Sequence, residues 1–476
     1  MKPTLLVALL PFAGSFVKTL PAADARKAPN FVIVNCDNLG YGDIGCFGSK
    51  KHRTPHIDRM AAEGMRLTSF YSTSAVCTPS RAALMTGCYP RRVNMHVGDN
   101  NGIVLFPVSR KGLHTDEVTI AEVLKTRGYA TICIGKWHLG DQAEFLPTRQ
   151  GFDEYFGIPY SDNMVGDKRP GWPPLPLMRN EKVVDAPTDR NTLTMRYTQE
   201  AIGFIERNKG RPFFLYLPHA MPGSDIAPFA SKAFRGKSAN GLYGDSVEEI
   251  DWSTGEILRA LERLDLDTRT LVIWTSDNGA YLNRGGSNAP LRGGLHDTTE
   301  GGFRMPCIAW WPGQIPEGTS SDEVTTMMDL LPTFARLAGA ELATARVIDG
   351  KDIWSILSAQ EEAKSPHEAF YYYYMTQLHA VRAGKWKLHL PLEKKLVRPG
   401  RRRPGERALY DLDKDIGEKN NVAADHPDVV ERLTALAEKA RRELGDDRRQ
   451  GIGQRPAAFV EKPTARKLTT QSGGSG

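Results

Sequence analysis

Cysteine is scarce in this chain. Six residues, at positions 36, 46, 77, 88, 133 and 307, are spread over 476, too few and too scattered for a disulfide framework. Long hydrophobic runs are missing too. Past the first two dozen residues none approaches the roughly 20 that a membrane-crossing helix needs, so no membrane span is expected. No internal repeat is visible. Charge of one sign is also lacking: 62 Lys and Arg against 56 Asp and Glu leave +6. Such mild basicity favours acidic partners weakly, and no nucleic-acid recognition motif accompanies it, so nucleic acid is not expected as a partner.

What remains is a globular composition, 40% apolar and 25% charged, in a chain long enough for two domains, one of them large. Residues 1–25 read as a secretory signal: Lys2, an apolar stretch from Leu5 to Val17, then the small-x-small site Ala23-Asp24-Ala25. The mature protein is then secreted or periplasmic. Residues 461–476, ending Ser472-Gly-Gly-Ser-Gly476, read as a flexible tail.

Four apolar, β-branched runs recur with polar residues just beyond them. Phe31–Cys36 runs into Asp37-Asn38 and Ala130–Gly135 into Lys136-Trp137-His138. Phe213–Leu217 runs into Pro218-His219 and Leu271–Thr275 into Ser276-Asp277-Asn278. Runs of this kind suit strands buried on both faces, and in open parallel sheets ligands bind at the carboxyl ends. Between them, Thr54–Glu63 and Thr119–Thr126 read as short helices, and Val247, Ile250, Thr254, Ile257, Leu261 and Leu264 repeat at helical spacing. Residues 159–190, rich in Pro, Gly and charge, read as a surface excursion outside the sheet. After Gly350 the alternation stops. Segments 369–374, 378–390 and 408–412 read as antiparallel strands, and Val429–Leu444 as an amphipathic helix. The expected fold is α/β: a large, mostly parallel sheet sandwiched by helices over 26–345, then a smaller α+β unit with an antiparallel sheet over 346–460, the boundary falling near 342–352.

The chemistry centres on Cys77. Pro79 is favoured at the start of a helix, Ala82 to Met85 are good helix formers, and Gly87 is placed to stop it. Cys77 then lies at a helix N-terminus, where free N–H groups and the dipole favour an anion, and Arg81 can point back from one turn along. Asp37, Asn38, Asp277 and Asn278 supply hard oxygens at two strand ends, suited to Ca²⁺ or Mg²⁺ rather than zinc.

Cys77-x-Pro79-x-Arg81, followed by Ala-Ala-Leu-Met-Thr-Gly, resembles the signature of the formylglycine-dependent sulfatases. The resemblance extends over most of residues 30–445, through Gly-Lys-Trp-His-Leu-Gly (135–140), Leu-Pro-His-Ala-Met-Pro (217–222), Ser-Asp-Asn-Gly (276–279), Thr-Glu-Gly-Gly-Phe-Arg-Met-Pro (299–306) and Leu-Tyr-Asp-Leu (409–412). It is nearest the arylsulfatase A type, within the alkaline phosphatase superfamily. The resemblance implies that a formylglycine-generating maturation enzyme oxidises Cys77 to formylglycine (3-oxoalanine), whose hydrate is the nucleophile. It implies a divalent cation, Ca²⁺ before Mg²⁺, held by Asp37, Asn38, Asp277 and Asn278 with residue 77. Arg81 and Lys136 would orient residue 77 and neutralise the sulfate. His138 matches the base that collapses the sulfated intermediate, and His219 the acid or donor near the leaving oxygen. The implied reaction is hydrolysis of a sulfate ester, on a small molecule or, as expected for an exported enzyme, a carbohydrate. Two other readings stay open: a phosphoester or phosphonate hydrolase of the same superfamily, and a secreted glycan-binding protein without turnover.

Three positions depart from the family pattern. Asp37-Asn38 stands where Asp-Asp is usual. Leu295 stands where a leaving-group lysine is expected, with Arg292 or His296 as replacements. Gly223 stands where a second histidine often follows the His-x-x-Pro segment. Lys394–Arg407, with seven basic residues, reads as a solvated loop or as an attractor of sulfated polyanions.

Overall fold

A computed structural model describes residues 28–224, 228–342, 346–392 and 406–468. The leader read at 1–25, residues 469–476 of the tail read at 461–476, and the basic run from 394 to 405 lie outside the described residues; within the rest of that tail, Thr464 and Arg466 donate to Gln142 Oε1 and Asp141 O. In chain order the strands are β1 (Asn30–Asp37), β2 (Met65–Tyr71), β3 (Lys111–Gly112), β4 (Ala130–Ile134), β5 (Glu154–Gly157), β6 (Leu177–Arg179), β7 (Lys182–Asp185), β8 (Phe213–Pro222) and β9 (Thr270–Ser276). There follow β10 (Arg304–Trp310), β11 (Thr319–Ser321), β12 (Thr325–Thr326), β13 (Phe370–Tyr374), β14 (Gln377–Ala383), β15 (Trp386–His389), β16 (Ala408–Asp411) and β17 (Ala458–Phe459).

The main sheet runs β11-β2-β10-β9-β1-β8-β4-β5-β6-β7, with β12 beside β2. The four runs singled out in the sequence are neighbours at its centre, β9-β1-β8-β4, and mutually parallel. Their apolar character follows from burial on both faces. In β1, Val32, Val34 and Cys36 enter one core while Phe31 and Ile33 enter the other. Each such side chain contributes roughly 1.5–3 kcal/mol relative to exposure. Helices Leu193–Asn208 and Gly241–Arg263 cover the first face, through residues such as Tyr197 and Ile250. Helices Cys77–Thr86, Ile120–Lys125 and Leu330–Ala338 cover the second, through residues such as Leu84, Leu124 and Phe334.

Three expectations change. Residues 159–190 are not wholly outside the sheet: β6 and β7 form a hairpin that extends it antiparallel from β5. Leu177 and Met178 are buried there, and Asn180 turns the chain at φ +54°. The helix expected from Pro79 starts at Cys77, because Val76 is the last extended residue (φ −151°, ψ 154°). Pro79 is then the third helical residue, still within the turn whose N–H groups have no intrahelical partner. The run 378–390 is two strands, β14 and β15, folded back at Gly384 (φ +56°).

The strands β13-β14-β15-β16 form the separate antiparallel sheet, covered by helix Pro427–Leu444 through Val430, Leu433 and Ala437. This sheet shares its core with Tyr71, Ala83 and Met328 of the main unit. The seam is also ionic. Glu300, fully buried, lies 2.9 Å from Lys387 Nζ and accepts from Tyr372 Oη at 2.8 Å. Burial alone would raise its pKa, but Lys387, Arg382 and Arg304 outweigh that and hold the carboxyl far below the usual range. Lys387 also lies 3.1 Å from Glu418. Removing one partner of a buried pair typically costs about 3–5 kcal/mol, because the charge left behind stays desolvated. Lys387→Met is therefore expected to lose about that much in chemical denaturation. Lys385→Met, which breaks only the more exposed pair with Asp411, should lose far less, and equal losses would remove the seam's special role.

Candidate active site

The carboxyl ends of β1, β9, β4 and β8 meet the N-terminus of helix Cys77–Thr86. Asp37 closes β1, and Asn38 follows in a left-handed conformation (φ +58°). Asp277 follows β9 and is joined to that turn by the Asn38 N–H, which donates to its Oδ1 at 3.0 Å. From the helix, Arg81 spans both carboxylates: its Nη2 lies 3.2 Å from Asp37 Oδ1 and 2.7 Å from Asp277 Oδ2. Its Nη1 donates to Lys136 O at 2.7 Å, which fixes the guanidinium from a third side. Lys136 Nζ reaches Asp37 Oδ1 at 2.7 Å and Ser161 Oγ at 3.3 Å. That approach needs Gly135 (φ +130°), where a Cβ would stand 1.9 Å from Pro218 O.

Cys77 Sγ sits 3.4 Å from Asp37 Oδ1 and 3.7 Å from Asn38 Oδ1. Burial first, and then the Asp37 charge, push its thiol well above the ordinary value. An unmodified Cys77 is therefore a neutral thiol, unlike the thiolate of a reactive cysteine.

Two opposite charges from each side balance within this cluster: Arg81 and Lys136 against Asp37 and Asp277. Asp37 is held low by Lys136 and Arg81 despite burial. Asp277 is raised by burial, with Asp37 adding to the rise. Asp37 Oδ2 and Asn278 Oδ1 are buried and accept no hydrogen bond from the described residues, and buried oxygens of that kind are rare without a partner. Ligand atoms of Asp37, Cys77 and Asp277 lie within 4.8 Å of one another. The donor set is oxygen-rich, as a hard divalent cation requires. Asn38 Oδ1 belongs to the same group, accepting from Asn278 Nδ2 at 2.6 Å.

His138 follows Lys136 at φ +63°. Its Nε2 is 2.9 Å from Leu105 O. A carbonyl only accepts, so the proton is on Nε2 and Nδ1 carries the lone pair. That Nδ1 is buried without a partner among the described residues. Burial, with Lys136 adding, holds the ring neutral. That leaves Nδ1 as the ring atom able to accept a proton.

The other two histidines differ. His219 is fully buried, with Nε2 3.4 Å from Ser253 Oγ on helix Gly241–Arg263. Burial alone lowers its pKa, to about 3. His219 thus lies under a helix and is not among the described residues that line the cavity holding Cys77. The reason is strand length: β8 runs on to Pro222, so the first residue past the strand is Gly223. A Cβ on Gly223 would stand 3.2 Å from Asp162 Oδ1 and 3.7 Å from Asp37 Oδ2. His296 does reach the site. Its N–H donates to Ala75 O at 3.0 Å, its backbone is left-handed at φ +73°, and its Nδ1 is 3.4 Å from Tyr374 Oη of β13. A cavity of about 530 Å³ is lined by Cys77, His138, Ser161, Ser224, Leu295 and His296, among others. Arg292 turns the other way, donating to Glu418 O and lying 5.6 Å over Tyr410. Ser161 and Ser224 were missed in the sequence. Ser161 lies beyond β5, which is itself a short apolar run, and Ser224 follows Gly223.

A three-layer α/β sandwich with carboxylates, amides and cations at the strand ends beside a Cys-x-Pro-x-Arg helix defines a hydrolase of anionic esters. Comparison with known proteins gives the family. The sulfatase family profile matches residues 29–340, and that of the N-sulphoglucosamine sulphohydrolase C-terminal region matches residues 297–444. The chain is similar to arylsulfatase A of Homo sapiens, 39% identical over 452 residues covering 86% of this chain and 87% of that one. It is also similar to steryl-sulfatase of Mus musculus, 39% identical over 450 residues covering 77% and 71%. A solved sulfatase structure, from work on the metabolism of multiple glycosaminoglycans by Bacteroides thetaiotaomicron, superposes with a TM-score of 0.76. It is 29% identical, over 87% of this chain and 99% of that one.

This chain belongs to the sulfatase family. It is a sulfuric ester hydrolase, of a family whose members use a divalent metal and a formylglycine. Among its described residues no helix is long and apolar enough to cross a membrane.

General acids contribute about 10²–10⁴-fold, so the placement of His219 has a direct test. His219→Gln is expected to keep sulfatase turnover within about tenfold, and a loss above about 10²-fold would return it to the catalytic set. Because its folded pKa lies below the unfolded value, native His219 opposes folding increasingly as pH falls from about 6.5 towards 3. The variant should therefore lose less stability than the parent between pH 7 and pH 5.

Proposed function

We propose that the enzyme hydrolyses the sulfate ester of a sulfated carbohydrate, using a nucleophile formed by oxidation of Cys77. The observation that carries this is the juxtaposition, in one cavity, of Cys77 against Asp37 (3.4 Å) with the bare Nδ1 of His138. The formylglycine form of residue 77 supplies a hydroxyl nucleophile where the thiol offers none. A divalent cation held by Asp37, Asn38, Asp277 and Asn278 would lower the pKa of that hydroxyl and screen charge at sulfur. Amide and carboxylate oxygens together favour Ca²⁺, which accepts mixed oxygen donors more readily than Mg²⁺.

The chain's own residues do the remainder. The helix N-terminus at residue 77 and the Lys136 ammonium attract the ester sulfate and stabilise the charge that grows on its oxygens. Arg81, fixed from three sides, keeps both carboxylates ionised and in register. His138 Nδ1 would take the proton whose removal expels sulfate and restores the aldehyde. His296, in the cavity beside Leu295, donates the proton to the leaving alcohol, the role that neither Leu295 nor Gly223 can fill. With Asn38 neutral, the cluster plus a divalent cation is net positive by two, which suits a monoanionic sulfate ester.

In this reading residues 1–25 are an export signal that makes the enzyme secreted or periplasmic. Residues 26–345 are the catalytic unit, and 346–460 complete the pocket, Tyr374 being their contribution beside His296. The competing reading as a phosphoester hydrolase is separated by parallel assay of aryl sulfate and aryl phosphate.

The decisive measurement is the mass of tryptic peptide Leu67–Arg81 from protein co-expressed with a formylglycine-generating enzyme. An aldehyde in place of the thiol is expected, and an intact thiol in active protein overturns the proposed nucleophile. His296→Ala should lower kcat/KM by about 10²-fold or more on an alkyl sulfate, whose leaving group needs a proton. On an activated aryl sulfate the loss should be much smaller. Equal retention on both substrates would remove His296 from the role.

A further inference from the structure

The same cavity carries positive charge that the reaction itself does not use. Among the described residues its lining includes Lys168, Arg169 and Arg284, and no aspartate or glutamate. Among the described residues neither arginine is paired with a carboxylate; both lie over aromatic rings. The Arg169 guanidinium lies over Trp172 at 5.5 Å and over Phe106 at 5.8 Å. Arg284 lies over Tyr281 at 5.2 Å, and its Nε is buried with no hydrogen-bond acceptor among the described residues. Phe106 and Trp172 are themselves stacked, with centroids 5.6 Å apart at 27°. A ring holds a cation in place and leaves its N–H donors available, whereas a carboxylate would consume them. The two arginines come from separate stretches, residues 161–172 and 281–296, that both line the cavity holding Cys77.

We propose that Arg169 and Arg284, on their aromatic supports, form a subsite for a second anionic group of the substrate, a sulfate or carboxylate on the saccharide beyond the ester that is cleaved. This deepens the proposed function and rests on its reading of a carbohydrate sulfate. The stacked Phe106–Trp172 pair offers an apolar face to the C–H side of a sugar ring. The guanidiniums offer forked donors matched to a carboxylate or sulfate. A steroid or simple aryl sulfate would fill the apolar part and leave both arginines without a counter-charge.

The test uses the mature, formylglycine-containing enzyme and three substrates: an aryl sulfate, a monosulfated uronate-free disaccharide, and the same disaccharide with a second sulfate. The wild type is expected to prefer the disulfated disaccharide in kcat/KM by about tenfold or more, an advantage that shrinks with added salt. In Arg169→Gln/Arg284→Gln that ratio should collapse towards one, through KM rather than kcat. Each single variant should give an intermediate ratio. An undiminished ratio in the double variant, or a wild type without preference, overturns the subsite. Sulfate release from the aryl ester alone, with both disaccharides refused, would instead overturn the carbohydrate reading on which the subsite rests. No release from any of the three would overturn the proposed nucleophile and leave binding to decide the subsite. In that case calorimetry with the disulfated disaccharide should show at least about tenfold weaker binding to the double variant than to the wild type. Equal binding would overturn the subsite there too.

Discussion

One guanidinium holds the centre of this protein. Arg81 sits between two carboxylates, Asp37 and Asp277, delivered by the adjacent parallel strands β1 and β9. All three side chains are withdrawn from water, so every charge must be met within the site. Parallel strands end side by side, which brings like charges together at the sheet's edge. The helix starting at Cys77 answers with an arginine one turn in, and β4 answers with Lys136. The balance is neutral, and a divalent cation held there would make the site a positive hole lined with fixed donors. That is the preorganised electrostatics a sulfate transition state requires. The position of the proposed nucleophile follows from the same interaction, since the helix that contributes Arg81 contributes residue 77.

Backbone strain marks the same place. Asn38, His138 and His296 are non-glycine residues in left-handed conformations, and each borders the site. Such conformations cost about 1–3 kcal/mol each and persist where surrounding structure over-determines them. Here each has its restraint. The Asn38 N–H is held by Asp277, the carbonyl of His138 accepts from Thr78 Oγ1, and the His296 N–H donates to Ala75 O. The turns at His138 and His296 both fasten to the segment around Cys77, so the helix start works as a common jig for the proposed base and the proposed acid.

The central strands were legible because burial on both faces writes itself as unbroken apolar sequence, and their polar successors stood out against it. Asp37, Asp277, Lys136 and His138 were found in that way, and the structure gathers them around Cys77. The helix through Val247 to Leu261 was legible from its period, and the C-terminal antiparallel strands from their composition, although 378–390 read as one strand where the structure has two. Strand length was not. β8 continues through Pro218 and His219 to Pro222, and nothing in that mixed stretch announces it, so His219 was taken for a residue past the strand. The hairpin β6–β7 hid for the related reason that an edge hairpin, partly exposed on a Pro- and Gly-rich stretch, has no continuous apolar run. His296 was visible only as a substitute for the absent lysine. Its pairing with Tyr374 depends on a contact 78 residues away that no local pattern encodes.

These successes and failures divide along the two halves of the reaction. The sulfate side is built from strand ends and one helix start, elements whose positions a parallel sheet fixes to within fractions of an ångström, and there the family pattern is kept apart from Asn38. The alcohol side is built from loops after β5, β8 and β9 and from the C-terminal sheet. There the chain departs, at Gly223, at Leu295 and in the arginines resting on aromatic rings. Loops accept such change because few buried backbone groups depend on them. A shared sulfate-binding frame therefore leaves the choice of alcohol to residues that can be exchanged without disturbing Arg81 or its carboxylates. In the proposed reading, His296 and Tyr374 of the neighbouring sheet stand in where the family's pattern would place a lysine and a histidine.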